Sequence, residues 1–580
     1  MISRWTDETL LQARLEGDRA ADALMRDILS PPAGHSERSR RSYNHLLNLA
    51  NVLVATPELG LVSGSMLRRE FDAADPPGRY FEPMEAPDWV DEDKLTLATA
   101  IWQIDSILAI AVLYASSLPA CYLMKKGVPA LYRTEKLAEQ EYIFQRIYET
   151  GLMLEDVMKA GGIKIVRDNH VHQDELLADV LRAHDPDGQW TAHFGGLRRG
   201  AGPAASSPDP SAVRRDFDAA KSASKRYIWG GGYMAARKVR FLHAAMRLML
   251  QDPNLGRPAA PNERARTFME NAASRAGTWD VADLGIPINQ EDLAFVLLTF
   301  GYLIPRGMET WGRKVPRAEK EAFLHLWRVV GHVMGIRDDL MTDNLDEAAA
   351  LYEQILERNG GGSEQGQILA ATVMDFLRSY IPARFGLDKI IPAELIIDQL
   401  GTKWAAMIIP KADYDMARRP VARAAHFLVR TSVKTYFWLR QHILRHLPVV
   451  GNLVGRITTN AANTLIDSWR DSFRREPFYI PSQATRWMPD RGVTPAYKTK
   501  LLAWRQRLFN TVAAGLVFLI AAGFSLSFAV VYFFLDWHHE RNLTLGIGAA
   551  AFALGLYLMT NMLTRVANSR PKLKDEPPPA

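Results

Sequence analysis

At 580 residues and 65.1 kDa the chain is long enough to bury a large core, and a composition of 48% hydrophobic and 23% charged residues excludes a disordered chain. Cys121 is the only cysteine, which excludes intrachain disulfides, thiolate zinc sites, cysteine-ligated iron–sulfur clusters and CxxCH haem attachment. Lys and Arg number 70 against 65 Asp and Glu, a net charge of +5 carried by no long basic run, so no nucleic-acid partner is expected.

Met1 to Arg14 holds Arg4, Asp7, Glu8 and Arg14 and no apolar stretch, so it reads as no secretion signal, and residues 1–90 read as an N-terminal helical extension. From there, three- and four-residue spacing of apolar side chains predicts helices over Leu95–Asp105, Thr134–Lys159, Lys238–Leu250, Glu291–Ile304, Arg317–Gly335, Leu345–Arg358, Gly366–Tyr380 and Ala422–His446. No strand alternation or βαβ rhythm is visible, and the fold class is all-α. Ser106–Met124 is uncharged over 19 residues but is interrupted by Ser116, Ser117 and Pro119, and it reads as a buried central helix. A polar insertion is expected over about 170–220. Connectors are expected at Gly200–Pro210, Asp252–Pro261 and Asn359–Gly366. The main helical unit then spans 91–358, followed by a partly basic helical region, 359–497.

The C-terminal part carries the membrane signal. Leu508–Leu535 and Asn542–Thr564 are uncharged, and at about 1.5 Å per residue each exceeds the ~30 Å hydrocarbon thickness. They predict a transmembrane hairpin, helices 508–535 and 542–564, with a polar tail 565–580. Lys498, Lys500, Arg505 and Arg507 precede it and Arg565, Arg570, Lys572 and Lys574 follow it, while the loop holds only Arg541. Both ends and the main domain are therefore expected on the cytoplasmic side, with the lipid bilayer as a partner.

Histidines are the place to look for chemistry in a helical chain with one cysteine. HExxH and ExxH pairs are absent. His442/His446 and His170/His172 read as surface pairs, and Gly230–Gly232 reads as a turn before a helix. His243 lies among Phe241, Leu242, Ala244, Ala245 and Met246, with Val239, Arg240, Met246 and Arg247 on its helical face. One imidazole in apolar surroundings beside arginines suits an iron porphyrin with two propionates, although by spacing alone a hydrogen-bonded core histidine is the commoner outcome. His325, Arg328 and His332 form a polar stripe at i, i+3 and i+7, either an interhelical network or a propionate-binding edge. Arg146 and Thr150 stand at i and i+4, with Glu149 beside them.

Taken in order, Leu118-Pro119…Tyr122, Arg146-Ile-Tyr-Glu-Thr150, Lys238-Val-Arg-Phe-Leu-His-Ala-Ala-Met-Arg247, Ile286-Pro-Ile-Asn-Gln-Glu-Asp-Leu293 and Leu326-Trp-Arg-Val-Val-Gly-His-Val-Met-Gly-Ile336 resemble the MpaB-type oxygenase family, which includes the bacterial latex-clearing proteins. The resemblance spans about Leu95 to Glu357. It implies a globin-like helical core holding a non-covalent haem b, with His243 as proximal iron ligand. It also implies oxidative cleavage of isoprenoid carbon–carbon double bonds with dioxygen. Arg146 and Thr150 match a polar pair near the haem, Arg240 and Arg328 are the expected propionate partners, and Glu149 is the expected base, standing where rubber-cleaving members carry lysine. The expected substrate is a lipophilic alkene, isoprenoid or unsaturated lipid, delivered from the bilayer. Two other classes stay open: a non-haem metal enzyme of lipids, and a helical scaffold or sensor that has lost catalysis.

Overall fold

Asp91 opens the first long helix of the body, its carboxylate accepting from the backbone N–H groups of Asp93 and Lys94 ahead of two further acids, Glu92 and Asp93, that favour the positive end of the helix. The computed structural model describes residues 4–29, 80–134, 140–167, 225–251, 279–379, 381, 387–442, 495–535, 537–562, 565, 566 and 569. In chain order the helices are α1 (Asp7–Arg14), α2 (Arg19–Leu29), α3 (Glu92–Val112), α4 (Leu118–Tyr122), α5 (Val128–Thr134), α6 (Gln140–Met158), α7 (Gly231–Gln251) and α8 (Val281–Leu284). They continue as α9 (Gln290–Gly301), α10 (Leu303–Thr310), α11 (Arg317–Val333), α12 (Leu345–Asn359), α13 (Glu364–Arg378), α14 (Leu387–Ile408), α15 (Lys411–Ala417) and α16 (Pro420–His442). The last two are α17 (Pro495–Phe534) and α18 (His538–Tyr557). The protein is mostly helical, as the apolar periodicity predicts.

The apolar segment read as a buried helix is one. Asp105–Tyr122 is long and apolar enough to cross a membrane, yet 78% of it is buried within the protein. It is continuous in path but not in geometry. Asp105 kinks α3 (φ −128°, ψ 25°), and Leu113–Ser117 form a π-helical turn leading into Pro119 at the start of α4. The kink places the buried Asp105 carboxylate between Arg313 at 2.9 Å and Arg440, so one acid ties α3 to the α10–α11 turn and to α16.

One correction to the all-α expectation is a small antiparallel sheet of β1 (Met84–Glu85), β2 (Lys164–Arg167) and β3 (Arg226–Trp229), ordered β1-β3-β2. Lys164 pairs with Trp229 and Arg167 with Arg226. Strands of two to four residues are too short to show alternation, and only the β-branched and aromatic content of Lys-Ile-Val-Arg and Arg-Tyr-Ile-Trp hints at them. The predicted polar insertion, about 170–220, lies outside the described residues, between β2 and β3 in the chain.

Among the described residues the larger of two apolar clusters runs from Trp5 in the N-terminal segment to Ala417 at the end of α15. The sequence-drawn units 1–90, 91–358 and 359–497 therefore share one interior. Met124 bridges Gly360 across the 358/359 boundary. At the C-terminus α17 and α18 pack on each other; Ser525 donates to the Thr544 carbonyl at 2.7 Å and Trp504 Nε1 to the Val566 carbonyl at 2.7 Å.

Candidate functional site

The turn that launches α7 sets the geometry around His243. Gly230 has φ 114°, and a Cβ on Gly232 would lie 2.6 Å from Val157 Cα. Only glycine there lets α7 start directly against the last turn of α6, which it then follows in antiparallel fashion. From that contact, eleven residues along α7 reach His243 and eleven residues back along α6 reach Arg146. Glu149 and Thr150 lie one helical turn after Arg146 on α6. His243 is half-buried and followed by the fully buried Ala244 and Ala245; Thr150 is half-buried and Glu149 exposed. The Arg146 backbone is helical, while its side chain lies outside the described residues.

The arginines expected to pair propionates are occupied. Arg240 holds Asp18 through Nε and, at 2.9 Å, through Nη2, and donates to the Val333 carbonyl at 3.2 Å. Asp18 at the same time accepts from the Ala21 N–H at the start of α2. One helical face further on, the fully buried Arg247 holds Asp22 and donates to the carbonyls of Pro287 and Ile288. Acids spaced i, i+4 on one segment thus meet arginines spaced i, i+7 on another, two buried pairs that dock α2 along α7. Arg328 pairs Asp343, with its guanidinium 4.1 Å over the Trp89 ring and its Nε buried without a hydrogen-bond partner. In this structure Arg240 and Arg328 are structural ion-pair residues, and binding a propionate would require either to leave its acid.

The His325–Arg328–His332 stripe converges on Trp89. His325 and His332 meet its ring edge-on, with centroids 5.8 Å and 6.1 Å away. The Asp91 N–H donates to His325 Nε2 at 2.9 Å, so Nε2 carries no proton. Burial, seconded by Lys94, pushes His325 down to about 4, and burial also lowers His332. This is the network reading of the stripe, with the segment before α3 clamped to α11. A consequence follows for pH. An unfolded histidine takes up a proton near 6.5, while the folded one resists to about 4, so stability is full above pH 6.5 and falls as pH drops from 6.5 toward 4, by up to about 3 kcal/mol. His325→Gln, which keeps an acceptor for Asp91, is expected to flatten that slope in denaturant titrations between pH 7.5 and 4. An unchanged slope assigns the acid sensitivity elsewhere.

The Ile286–Leu293 motif, quoted in the sequence for its resemblance, is a structural hub. Ile288 adopts φ 52°, Asn289 caps α9 through the Asp292 N–H at 2.9 Å, and Gln290 donates to the carbonyls of Gly17 and Gly335. Glu291, fully buried, receives Arg14 at 2.7 Å, Asn359 at 2.8 Å and Arg358 at 3.3 Å. Composition gave no sign of this, because the partners lie 277 and 68 residues away. Its one legible trace is a pair of carboxylates opening an apolar helix.

Among the described residues no three His, Cys, Asp or Glu side chains form a group that could hold a metal. His442 is exposed and stacked on Trp438, while His170, His172 and His446 lie outside the described residues. The class defined so far is a helical protein whose candidate centre is a single imidazole, on a helix docked by buried ion pairs.

Residues 226–436 match the family described as ER-bound oxygenase mpaB/B'/rubber oxygenase, catalytic domain. Within that stretch the chain is similar to the MpaB/Lcp oxygenases, and the match leaves the rest of the chain outside it. His243, Arg240 and Arg328 lie inside the matched stretch; Arg146, Glu149 and Thr150 lie before it. The rubber oxygenase of Streptomyces sp. (strain K30) is 27% identical over 147 residues, 25% of this chain and 30% of that protein, so under a third of that relative is spanned. A latex clearing protein structure in the closed state superposes with a TM-score of 0.40 at 18% identity, covering 68% of this chain and 82% of that one.

Proposed function

We propose that this protein is a membrane-anchored oxygenase with a globin-like helical core. It would use haem b on His243 to cleave or oxidise a carbon–carbon double bond of a lipophilic isoprenoid or unsaturated-lipid substrate with dioxygen. The observation that carries the reading is His243 itself, which stands on α7 inside the stretch matching an oxygenase catalytic domain. The donor type, one half-buried imidazole, suits the iron of a b-type haem, while Ala244 and Ala245 beside it are fully buried, so a flat group there would need its neighbours to move. The propionates fit less well, because Arg240 and Arg328 are held by Asp18 and Asp343.

Bound haem would supply the redox centre at which dioxygen is activated. The chain's own residues have simpler tasks. His243 holds the group from the apolar side. Arg146 and Thr150 would offer N–H and O–H donors to dioxygen or a propionate, and Glu149, an exposed carboxylate one turn along from Arg146, would accept a proton from an allylic carbon. Cleavage of a C=C bond by one dioxygen gives two carbonyls, each keeping one oxygen atom, so the net reaction needs no nicotinamide.

Anchoring is part of the proposal. On α17 and α18, Val517, Phe528, Phe533, Leu543 and Ile547 are all more than half exposed, which suits lipid rather than water. Tyr532 and Trp537 stack at the apex (5.7 Å), as aromatic residues do at a membrane interface. The bilayer then delivers the alkene, and the main domain faces the cytoplasm. The commitment of Arg240 and Arg328 to internal acids favours a second reading, a helical scaffold or sensor of the same family without turnover.

The deciding experiment supplies the reduced, haem-supplemented full chain with membrane lipids and polyprenols under labelled dioxygen. Carbonyl products labelled at both ends are expected, with polymer rubber a poor substrate. Intact haem with no label in any lipid product selects the scaffold or sensor reading.

A further inference from the structure

Helix α16 carries Arg423, Arg430, Lys434 and Arg440 and no acidic residue in its 23 positions. Its inner face is committed to the body. Arg430 pairs Asp398 at 2.9 Å, Arg440 pairs the buried Asp105, and Ala422, His426 and Phe437 are buried. The outer face is a stripe at helical spacing, Arg423, Phe427, Thr431, Lys434 and Trp438, every member exposed, with Phe427 at 66% and Trp438 at 53%. At its C-terminal end a cavity of about 320 Å³ opens between Lys314, Lys434, Trp438 and Gln441. Gly312 forms its floor with φ 96°, and a Cβ there would sit 2.8 Å from Lys434 Cγ; the bare backbone seats the lysine stem and holds its ammonium at the cavity. Among the described residues no carboxylate pairs Lys314 or Lys434.

We propose that this stripe and its cavity dock on the anionic lipid headgroups of the bilayer that receives the α17–α18 hairpin. The inference rests on the reading of that hairpin as a membrane anchor. Three features select lipid as the occupant. Large aromatics alternate with unpaired cations along one rod, the pattern of a helix lying in an interface rather than of a phosphate-tracking groove. The cavity offers two ammonium groups to one phosphodiester, with Trp438, stacked on His442 at 5.2 Å, as its apolar wall. The stripe precedes the exposed apolar helices in the same chain, so an anchored hairpin keeps it near the bilayer. Docking would orient the body on the membrane from which the alkene comes.

The test uses the full chain with one added thiol, either Thr431→Cys on the stripe or Val517→Cys on α17. Native Cys121 stays silent, since burial pushes its thiol up to about 11. Each variant is labelled with an environment-sensitive fluorophore and reconstituted into vesicles of phosphatidylcholine, with or without phosphatidylglycerol, containing brominated lipid. Quenching at 517 is expected in both compositions. Quenching at 431 is expected to be roughly threefold stronger in the anionic vesicles and to fall in high salt. Lys314→Glu with Lys434→Glu should return it to the neutral level while far-UV circular dichroism is unchanged. Quenching at 517 with none at 431, or equal quenching at 431 in both lipids, overturns the docking inference alone and leaves the face to another partner. No quenching at 517 overturns the anchor reading and the docking inference with it.

Discussion

On the proposed haem site, His243→Ala expressed with haem supplementation is expected to lose most of the porphyrin that site would hold, read as the ratio of Soret to protein absorbance. The reasoning is local. His243 lies on α7 inside the stretch that matches an oxygenase catalytic domain; His325 accepts from the Asp91 N–H and His332 lies beside Asp338 and Trp89. Without the imidazole, a non-covalent haem keeps only apolar contacts and propionate pairing. Loss is expected to exceed tenfold, about 1.4 kcal/mol or more of binding. A companion variant separates ligation from folding. His243→Gly supplied with imidazole in solution should recover a Soret band if the only defect is the missing ligand. Wild-type haem content in His243→Ala would move the ligand assignment to His325 or His332.

The largest effect on stability is expected at Arg14, far from any candidate chemistry. Arg14 is almost fully buried and binds Glu291 at 2.7 Å, Asp292 at 2.8 Å and the Leu284 carbonyl at 3.0 Å. Arg14→Ala leaves a fully buried carboxylate short of its main counter-charge, a change that typically costs about 3–5 kcal/mol. It also frees α1, whose docking on α9 runs through this residue. A thermal melt of the purified chain reads the loss. The double variant Arg14→Ala, Glu291→Leu should recover much of it, because the stranded charge is removed too. If the double variant is as unstable as the single one, packing of α1 rather than charge is responsible.

These two sites show what was legible in the sequence. The helices were, because apolar spacing of three and four survives in every long segment; Arg317–Val333 and Leu345–Asn359 fall within two residues of their predicted ends. His243 stood out as a polar side chain in an apolar helix, and the glycine turn before it was readable from Gly230–Gly232. What sequence could not convey was pairing. Arg240 drew notice as a possible clamp for a ligand carboxylate, but its carboxylate comes from Asp18, 222 residues earlier. The His325 stripe was visible, but its centre, Trp89, was not. The short sheet stayed hidden because a four-residue strand has no period to detect.

That sheet also bears on how such a chain can diversify. Arg167 and Arg226 are Cα partners in a ladder, so 58 intervening residues begin and end at neighbouring points of one edge. Closing a longer excursion between fixed ends costs little, about 0.6 kcal/mol for each doubling of length. The β2–β3 ladder is therefore a docking port for interchangeable sequence: segments of very different size can be spliced in there while the contact of Gly232 on α7 with Val157 on α6 is kept.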